Sequence, residues 1–219
     1  METMLRRREM IAAGGTGPRP RFYDYLIFDG TAYIDTDIIP DANASFRVYL
    51  GSEKNKAAQR IFGLATEPAV TTTVFYTSNT TSTQRNLSWY YASGSSLASR
   101  QLAFSTSGYS LFMTPKRGGY NTTASSFTKG GNTPAGALVI GHNGSHSGNP
   151  FSGKMSFFRI YGSDAQNATD ASDLLNNYTP QYTLKPCVYN GEAGYWCVEN
   201  GKFYGNSAGS GTLTVSNPL

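Results

Sequence analysis

Short runs in which apolar and polar residues alternate dominate the chain from residue 22 onward. In the segment SFRVYL, Phe46, Val48 and Leu50 fall on one face, while Arg47 and Tyr49 fall on the other. A period of two residues is typical of a strand that is buried on one side. The segment therefore predicts a strand whose three apolar residues pack into a core.

The same pattern returns along the chain at spacings of roughly 8–12 residues, which is typical of β-sandwiches and barrels. In the segment NLSWYYA, Leu87, Trp89 and Tyr91 share a face, and we expect Trp89 and Tyr91 to be buried. Further β-rich runs are FYDYLIFDG, TAYIDTDII, RIFGLA, TTVFYTS, RQLAFSTS, SLFMTP, ALVIGHN and KMSFFRIYG. Long amphipathic helical patterns are missing from the sequence, which argues against β-α-β units.

One segment, TDASDLLNNY, has the pattern of a short helix. Asp170 suits the N-cap position, because its side chain can accept hydrogen bonds from the first N–H groups of a helix. Leu174 and Leu175 are the residues that this helix would bury. Together with the strands, the pattern predicts an all-β, two-sheet antiparallel sandwich with one short helix.

The C-terminal segment ENGKFYGNSAGSGTLTV predicts a short closing hairpin. A turn at Asn200 and Gly201 leads to Phe203 and Tyr204, and a glycine- and serine-rich loop precedes a strand at residues 212–215. An unpaired terminal strand would be an aggregation hazard. We therefore expect the hairpin to complete a sheet beside the strands near residues 22–38.

Composition and charge separate an extended N-terminal arm, residues 1–21, from a domain at residues 22–219. The arm has five arginines against two glutamates, which is +3 of the net charge of +4, and its centre, GGTGPRP, cannot form regular structure. The nearly neutral domain lacks the charge of a nucleic-acid binder. A cationic start, a small apolar patch and a Gly/Pro hinge predict a flexible arm that anchors on a partner. Its anchoring residues are Arg6, Arg7, Arg8, Met10 and Ile11.

The start of the chain does not have the pattern of a signal peptide. The segment EMIAAGGTGPRP lacks the apolar stretch of ~7–15 residues that follows the charges of a signal. No run approaches the ~18 apolar residues of a membrane span. We expect a protein that is made and kept in a cytosol and has no membrane partner.

Three segments carry a family resemblance. The segment YDYLIFDGTAYIDTDIIP resembles the opening of the concanavalin A-like lectin/glucanase superfamily, in the laminin-G-like version found in gut bacteria and their phages. FSGKMSFFRIYG resembles a later strand of that family, and KPCVYNGEAGYWCVENGKFYGNSAGSGTLT resembles its ending. The matching residues are Gly30, Tyr33, Ile34, Asp35, Thr36, Pro40, Pro186, Cys187, Gly191, Gly194, Val198, Gly201, Phe203, Tyr204, Asn206, Gly209 and Gly211. The resemblance covers residues 23–219 and implies a two-sheet jelly roll, but no activity, because the fold hosts enzymes, lectins and structural domains. Cys197 replaces the acidic residue that is usual in the ending.

Catalytic and metal-binding patterns are weak in this sequence. Enzymes of the superfamily resemble one another in an E-x-D-x-x-E strand, which is missing from this sequence. Asp35 and Asp37, which share one strand face, are the pair most similar to such catalytic carboxylates, and we interpret them as structural. His142 and His146 lie in GHNGSHSGNP, which predicts a surface loop without enough ligands for a metal site. The resemblance allows calcium, with ligands that cannot be assigned. We therefore predict that the protein is not an enzyme.

Two further groups of residues are candidates for special roles. With a five-residue loop at residues 190–194, Cys187 would face Cys197 across a hairpin, as two buried thiols in a reducing cytosol or as a disulfide formed after release. Trp89, Tyr90 and Tyr91 are weak candidates for stacking on sugar rings, and Tyr90 has the more exposed position.

These observations favour a non-enzymatic structural or interaction protein. We expect a phage virion component, such as a head decoration, fibre or tail accessory subunit. The arm would dock on other virion proteins and the jelly roll would be displayed outward. Such proteins assemble in the host cytoplasm and are often homo-oligomers. The alternative is a carbohydrate-binding module for host or environmental glycans.

Overall fold

The computed structural model of the chain describes residues 18–53, 59–64, 74–79, 84–92, 98–103, 108–126, 136–143, 146 and 148–219. The strands in this part of the chain are β1 (Arg21–Asp29), β2 (Ile34–Asp35), β3 (Ser45–Glu53), β4 (Gln59–Leu64), β5 (Val74–Asn79), β6 (Gln84–Tyr90), β7 (Ala98–Ala103), β8 (Tyr109–Met113), β9 (Arg117–Tyr120), β10 (Thr123–Ser126), β11 (Leu138–Ile140), β12 (Asn149–Pro150), β13 (Ser152–Tyr161), β14 (Pro180–Tyr189), β15 (Glu192–Cys197), β16 (Lys202–Tyr204) and β17 (Leu213–Pro218). A 3-10 helix (Ser163–Asn167) and a short helix α1 (Ala171–Asn177) connect β13 to β14. The prediction of an all-β fold with one short helix is confirmed.

The strands form two sheets. The larger sheet has ten strands in the order β10-β9-β8-β3-β13-β1-β14-β15-β16, with β17 paired to β1. The smaller sheet has seven strands in the order β2-β11-β4-β5-β6-β7, with β12 paired to β4. The pairings of the described strands are antiparallel apart from the two-residue contact of β12 with β4, which is parallel.

Aromatic side chains join the two sheets across the core. Phe62 of β4 contacts Phe46 of β3 and Phe158 of β13, with ring centroids 5.1 Å apart in both pairs. A Cβ atom built on Gly118 of β9 would lie 2.5 Å from the indole of Trp89 in β6. The larger sheet therefore passes directly over the buried faces of the smaller one, as in a sandwich.

The first and the last strand of the described residues, β1 and β17, both belong to the larger sheet. Residues 23–28 of β1 run antiparallel to residues 213–218 of β17, while β16 pairs with β15. The loop between β16 and β17 is fixed by Ser207, whose N–H donates to the Tyr33 carbonyl and whose hydroxyl accepts from the Asp35 N–H, at 2.8 Å each. The predicted pairing of the C-terminal end with the N-terminal strands is confirmed, but the predicted hairpin is wrong because its two strands join different neighbours.

Helix α1 begins as the sequence predicts. The carboxylate of Asp170 accepts from the N–H groups of Ser172 and Asp173 at 2.7 and 2.9 Å. Leu174 is buried, but Leu175 is 44% exposed, so the prediction that both leucines are buried is wrong. A helix of seven residues offers only a narrow face to the sheet, and Leu174 occupies that face together with Ala171.

Candidate functional site

An open groove of about 460 Å³ lies between the segment that follows β2 and the segment that contains β16. One wall is formed by residues 35–37, which begin in β2 and continue past its end. The other wall is formed by residues 202–207 of β16 and the following loop, with Glu192 of β15 beside them. The fold itself builds this groove, because Ser207 in the loop after β16 is held against residues 33–35 by one backbone hydrogen bond to Tyr33 and one from the Asp35 N–H to its hydroxyl.

The centre of the groove is organised by Asp37. Its carboxylate binds the Lys202 ammonium group and the Tyr204 hydroxyl. Both hydrogen bonds lower the pKa of Asp37, and the bond from Lys202 has the larger effect. The carboxylate is therefore ionised near neutral pH. Burial and the neighbouring Asp37 raise the pKa of Tyr204, so the phenol keeps its proton and donates it to the bond. The side chains of Asp37 and Lys202 are 60% and 52% exposed, so both remain accessible to a ligand.

A second polar and aromatic group lies beside Asp35. The Asp35 carboxylate is 2.9 Å from Nε2 of His146, and both side chains are partly exposed. The His146 ring stacks on Tyr33, with centroids 4.3 Å apart and an interplanar angle of 25°. His142 packs edge-on against Tyr33 but is buried, and burial lowers its pKa. This group presents a flat ring and a carboxylate next to the groove.

Three half-buried aromatic rings cover the outward face of β14, β15 and β16 near the groove. The Tyr189 ring is 5.3 Å from Trp196 and 5.6 Å from Phe203, measured between centroids. Trp196 and Phe203 are paired across β15 and β16, so they share a face. The Phe203 ring fits over Gly194, where a Cβ atom would approach it to 2.7 Å. We call Tyr189, Trp196 and Phe203 the aromatic platform.

Asp29 closes the end of β1 next to this region. Its Oδ1 accepts from the N–H groups of Thr31 and Ala32 at 2.8 and 3.0 Å, and its Oδ2 accepts from the N–H of Thr212 at 2.5 Å. Although burial opposes it, this set of hydrogen bonds lowers the pKa of Asp29 to about 2. The carboxylate therefore connects the turn after β1 to the residue that precedes β17.

The aromatic residues proposed from the sequence do not form this site. Trp89 and Tyr91 have no exposed surface, and the Tyr91 hydroxyl donates to the Ala44 carbonyl at 2.7 Å. Their predicted burial is confirmed, and stacking on sugars is wrong for both because they face the core of the sandwich. Tyr90 lies in β6, and its side chain is outside the part that the structure describes.

The two cysteines are free and buried. Asn190 and Gly191 have φ values of 51° and 84°, which is the geometry of a two-residue type I′ turn, so Cys187 faces Gly194 and Leu184 faces Cys197. The predicted five-residue loop is therefore wrong. An offset of three residues separates the cysteines by about 10 Å along the hairpin and places them on opposite faces, beyond the span of a disulfide. Burial raises the pKa of the Cys187 thiol to about 12.

The remaining candidates have mixed outcomes. The surface-loop prediction holds for His146 and is wrong for His142, which is 3% exposed. Among the residues that the structure describes, none form a cluster of three or more metal-binding side chains, and no helix is long and apolar enough to cross a membrane.

The structure does not describe the proposed anchoring residues of the arm, which are Arg6, Arg7, Arg8, Met10 and Ile11. Lys202 was not identified from the sequence; its nearest signal was the family resemblance of its neighbours Phe203 and Tyr204.

No protein-family model matches the chain, and no curated protein matches its sequence. Its fold is similar to that of a native heptameric SAP-like pentraxin from Limulus polyphemus, at 12% identity and a TM-score of 0.54, over 80% of this chain and 94% of that chain. It is also similar to a Bacteroides ovatus protein assigned to carbohydrate binding, at 14% identity and a TM-score of 0.56, over 91% of this chain and 62% of that chain. A third structure of similar fold is the enzymatically active domain of tailspike protein 2 from bacteriophage CBA120, at 8% identity and a TM-score of 0.50, over 87% of this chain and 35% of that chain.

At these identities the comparisons show the fold. The two-sheet architecture and the structural neighbours together show a jelly-roll sandwich of the concanavalin A-like fold, as predicted from the sequence. The chain spans less than two thirds of the Bacteroides and bacteriophage proteins.

Proposed function

We propose that the protein is a carbohydrate-binding module and that the groove between residues 35–37 and 202–207, with the aromatic platform beside it, holds the sugar. The observation that carries this proposal is the combination of exposed hydrogen-bonding groups with flat rings. Asp37, Lys202 and Glu192 line the groove together with Phe203, and Tyr189 and Trp196 lie next to Phe203 and complete the aromatic platform.

The chemistry of a sugar matches this combination. Each sugar hydroxyl is both a donor and an acceptor, so a carboxylate and an ammonium group side by side can bind the same hydroxyl or two adjacent ones. The apolar face of a sugar ring can pack on an aromatic ring, while the ring edges stay available for polar contacts. Similarity in fold to the Bacteroides ovatus protein supports this proposal, because that protein is assigned to carbohydrate binding.

The first test is a glycan array with the full chain, followed by calorimetry with the best ligand. Trp196→Ala removes the largest ring of the aromatic platform, and we expect it to weaken binding at least about fivefold. Leu175→Ala is the matched control, because it removes exposed apolar surface on α1. Both variants should melt cooperatively. The proposal is wrong if no glycan binds, or if Trp196→Ala binds as tightly as the wild type.

A second proposal concerns where this module is used. The basic arm, residues 1–21, is suited to anchoring, and the fold is similar to that of a bacteriophage tailspike domain. We propose that the chain is a virion component that displays the jelly roll, as a homo-oligomer docked through the arm on other virion proteins. Mass spectrometry of purified particles of the phage that encodes the chain should detect many copies. Particles without the chain would contradict this proposal.

A further inference from the structure

Glu192 is a carboxylate of the groove that the rest of the site leaves unpaired. It begins β15, and its side chain is exposed. Of the other acidic residues that line the groove, Asp37 binds Lys202 and Asp35 binds His146. Among the residues that the structure describes, none forms a hydrogen bond or an ion pair with the Glu192 carboxylate. This carboxylate is therefore available to a ligand that enters the groove.

The Glu192 carboxylate lies at the edge of the aromatic platform. Gly194 follows Glu192 by two positions on β15, so both belong to the same face of the sheet, and the Phe203 ring covers Gly194. A Cβ atom built on Gly205 would lie 2.0 Å from Oε1 of Glu192 and 3.1 Å from Cε1 of Phe203. The carboxylate and the ring therefore lie side by side above Gly205, which has no side chain to displace them.

A carboxylate beside an aromatic ring matches one class of sugar. An ammonium group is attracted both by a carboxylate and by the face of an aromatic ring. The apolar face of a sugar can pack on the same ring. An amino sugar combines these two features, because it carries an ammonium group on a pyranose ring. A neutral sugar would leave the negative charge of Glu192 without a counter-ion, and an acidic sugar would be repelled by it.

Two lysines lie in this part of the larger sheet, and neither pairs with Glu192. Lys202 is already held in an ion pair inside the groove. Lys185 lies opposite Trp196 in the strand register, about 13 Å from the end of the hairpin that carries Glu192. The chain as a whole has a net charge of +4, so its overall field does not attract a cationic sugar. A preference for an ammonium group must therefore come from the local carboxylate.

We propose that Glu192 makes the site selective for amino sugars: its carboxylate pairs with the ammonium group of a hexosamine whose ring packs on Phe203. This inference rests on the proposed carbohydrate-binding function and names the class of saccharide that the site prefers. It assigns the selectivity to one residue, so the preference for the amino sugar can be removed while the binding of neutral sugars is kept.

The test uses the full chain and three β-1,4-linked tetrasaccharides, of glucosamine, of N-acetylglucosamine and of glucose, which differ only in the group at C2 of each sugar. Calorimetry at about pH 5.5, where the sugar amines are protonated, should show the tightest binding for the glucosamine tetrasaccharide. Glu192→Gln should weaken that binding about fivefold and change the affinity for the glucose tetrasaccharide less than about twofold. Added salt should reduce the preference of the wild type, because the charges involved are exposed.

Two further variants serve as controls. Asp164→Asn removes one exposed carboxylate from the 3-10 helix and should change the affinity for the glucosamine tetrasaccharide less than about twofold. Glu192→Asp keeps the charge but draws the carboxylate back from Phe203 by one methylene group, so it should keep only part of the preference. If Glu192→Gln does not melt cooperatively, Glu192→Asp carries the same comparison.

The outcomes separate this inference from the proposed function. Equal affinity of the wild type and Glu192→Gln for the glucosamine tetrasaccharide overturns the inference, as does a wild type that binds a neutral glycan at least as tightly as the glucosamine tetrasaccharide. In both cases, neutral glycan binding that Trp196→Ala weakens leaves the proposed function standing. If the wild type binds no glycan at all, the inference and the proposed function fail together.

Discussion

Replacing Asp29 with asparagine tests how much the contact between the chain ends contributes to stability. The carboxylate accepts from the N–H groups of Thr31, Ala32 and Thr212, and its pKa is about 2 instead of 3.8. A difference of nearly two pKa units corresponds to at most about 2.4 kcal/mol of stability at neutral pH. Asp29 is exposed, so solvent screening reduces this contribution to about 1 kcal/mol.

The amide of Asp29→Asn keeps one acceptor but replaces the other with an NH₂ group, which faces a backbone donor. We therefore expect the free energy of unfolding to fall by about 1–2 kcal/mol at pH 7.

The sign of the pH dependence follows from the lowered pKa. The folded state holds the ionised form of Asp29, so its contribution is complete above the unfolded pKa of 3.8 and is lost as pH falls toward about 2. Urea unfolding of the wild type and Asp29→Asn at pH 7, 4 and 2.5 should show a difference that shrinks with acidification. Asp164→Asn removes another exposed carboxylate and is the control. The reasoning is refuted if Asp29→Asn is equally destabilised at all three pH values, or is as stable as the wild type at pH 7.

Three further outcomes are expected. Deleting residues 212–219 removes β17 and Thr212, one of the three partners of Asp29, so the truncated chain should lose cooperative melting; a soluble, cooperatively melting product would contradict the pairing with β1. Burial lowers the pKa of His142 below the unfolded value of about 6.5, so the unfolded state binds more protons and stability should fall from pH 7 to 5. His142→Gln should flatten this slope in urea titrations, and an unchanged slope would contradict the role given to His142. Ellman's reagent should react slowly with the native protein, because both thiols are buried and have raised pKa values, and it should detect two thiols in denaturant. A rapid reaction of the native protein, or fewer than two thiols in denaturant, would contradict this prediction.

Much of the fold could be predicted because each strand carries its own local pattern. The alternation in SFRVYL correctly assigned Phe46, Val48 and Leu50 to the core, and Asp170 correctly marked the start of α1. Both features depend on residues within a few positions of each other. The register of the hairpin at Asn190 and Gly191 was also available, since this dipeptide favours a two-residue turn, but a longer loop was assumed.

The groove could not be predicted in the same way, because it depends on contacts between distant parts of the sequence. Asp37 and Lys202 are 165 positions apart, and nothing in either local pattern specifies the other. The burial of Arg47 could not be predicted from its local pattern either. Its position in the alternation correctly places it on the outward face, but it is only 7% exposed, and its neighbours Arg159, Phe157 and Ser110 come from two other strands.

The groove also depends on how the loop after β16 packs against the segment that contains β2. Residues 35–37 and 202–207 form its two walls, and Ser207 fixes one wall to the other through Tyr33 and Asp35. A ligand that contacts both walls can bind only while β16 and its loop remain in place. Binding of such a ligand must then stabilise the folded protein, because a ligand that binds only the folded state shifts the folding equilibrium toward that state. The arrangement that holds β16 and its loop in the fold is therefore also the one that a ligand of both walls would require, and the contacts of Asp37 with Lys202 and Tyr204 join these walls.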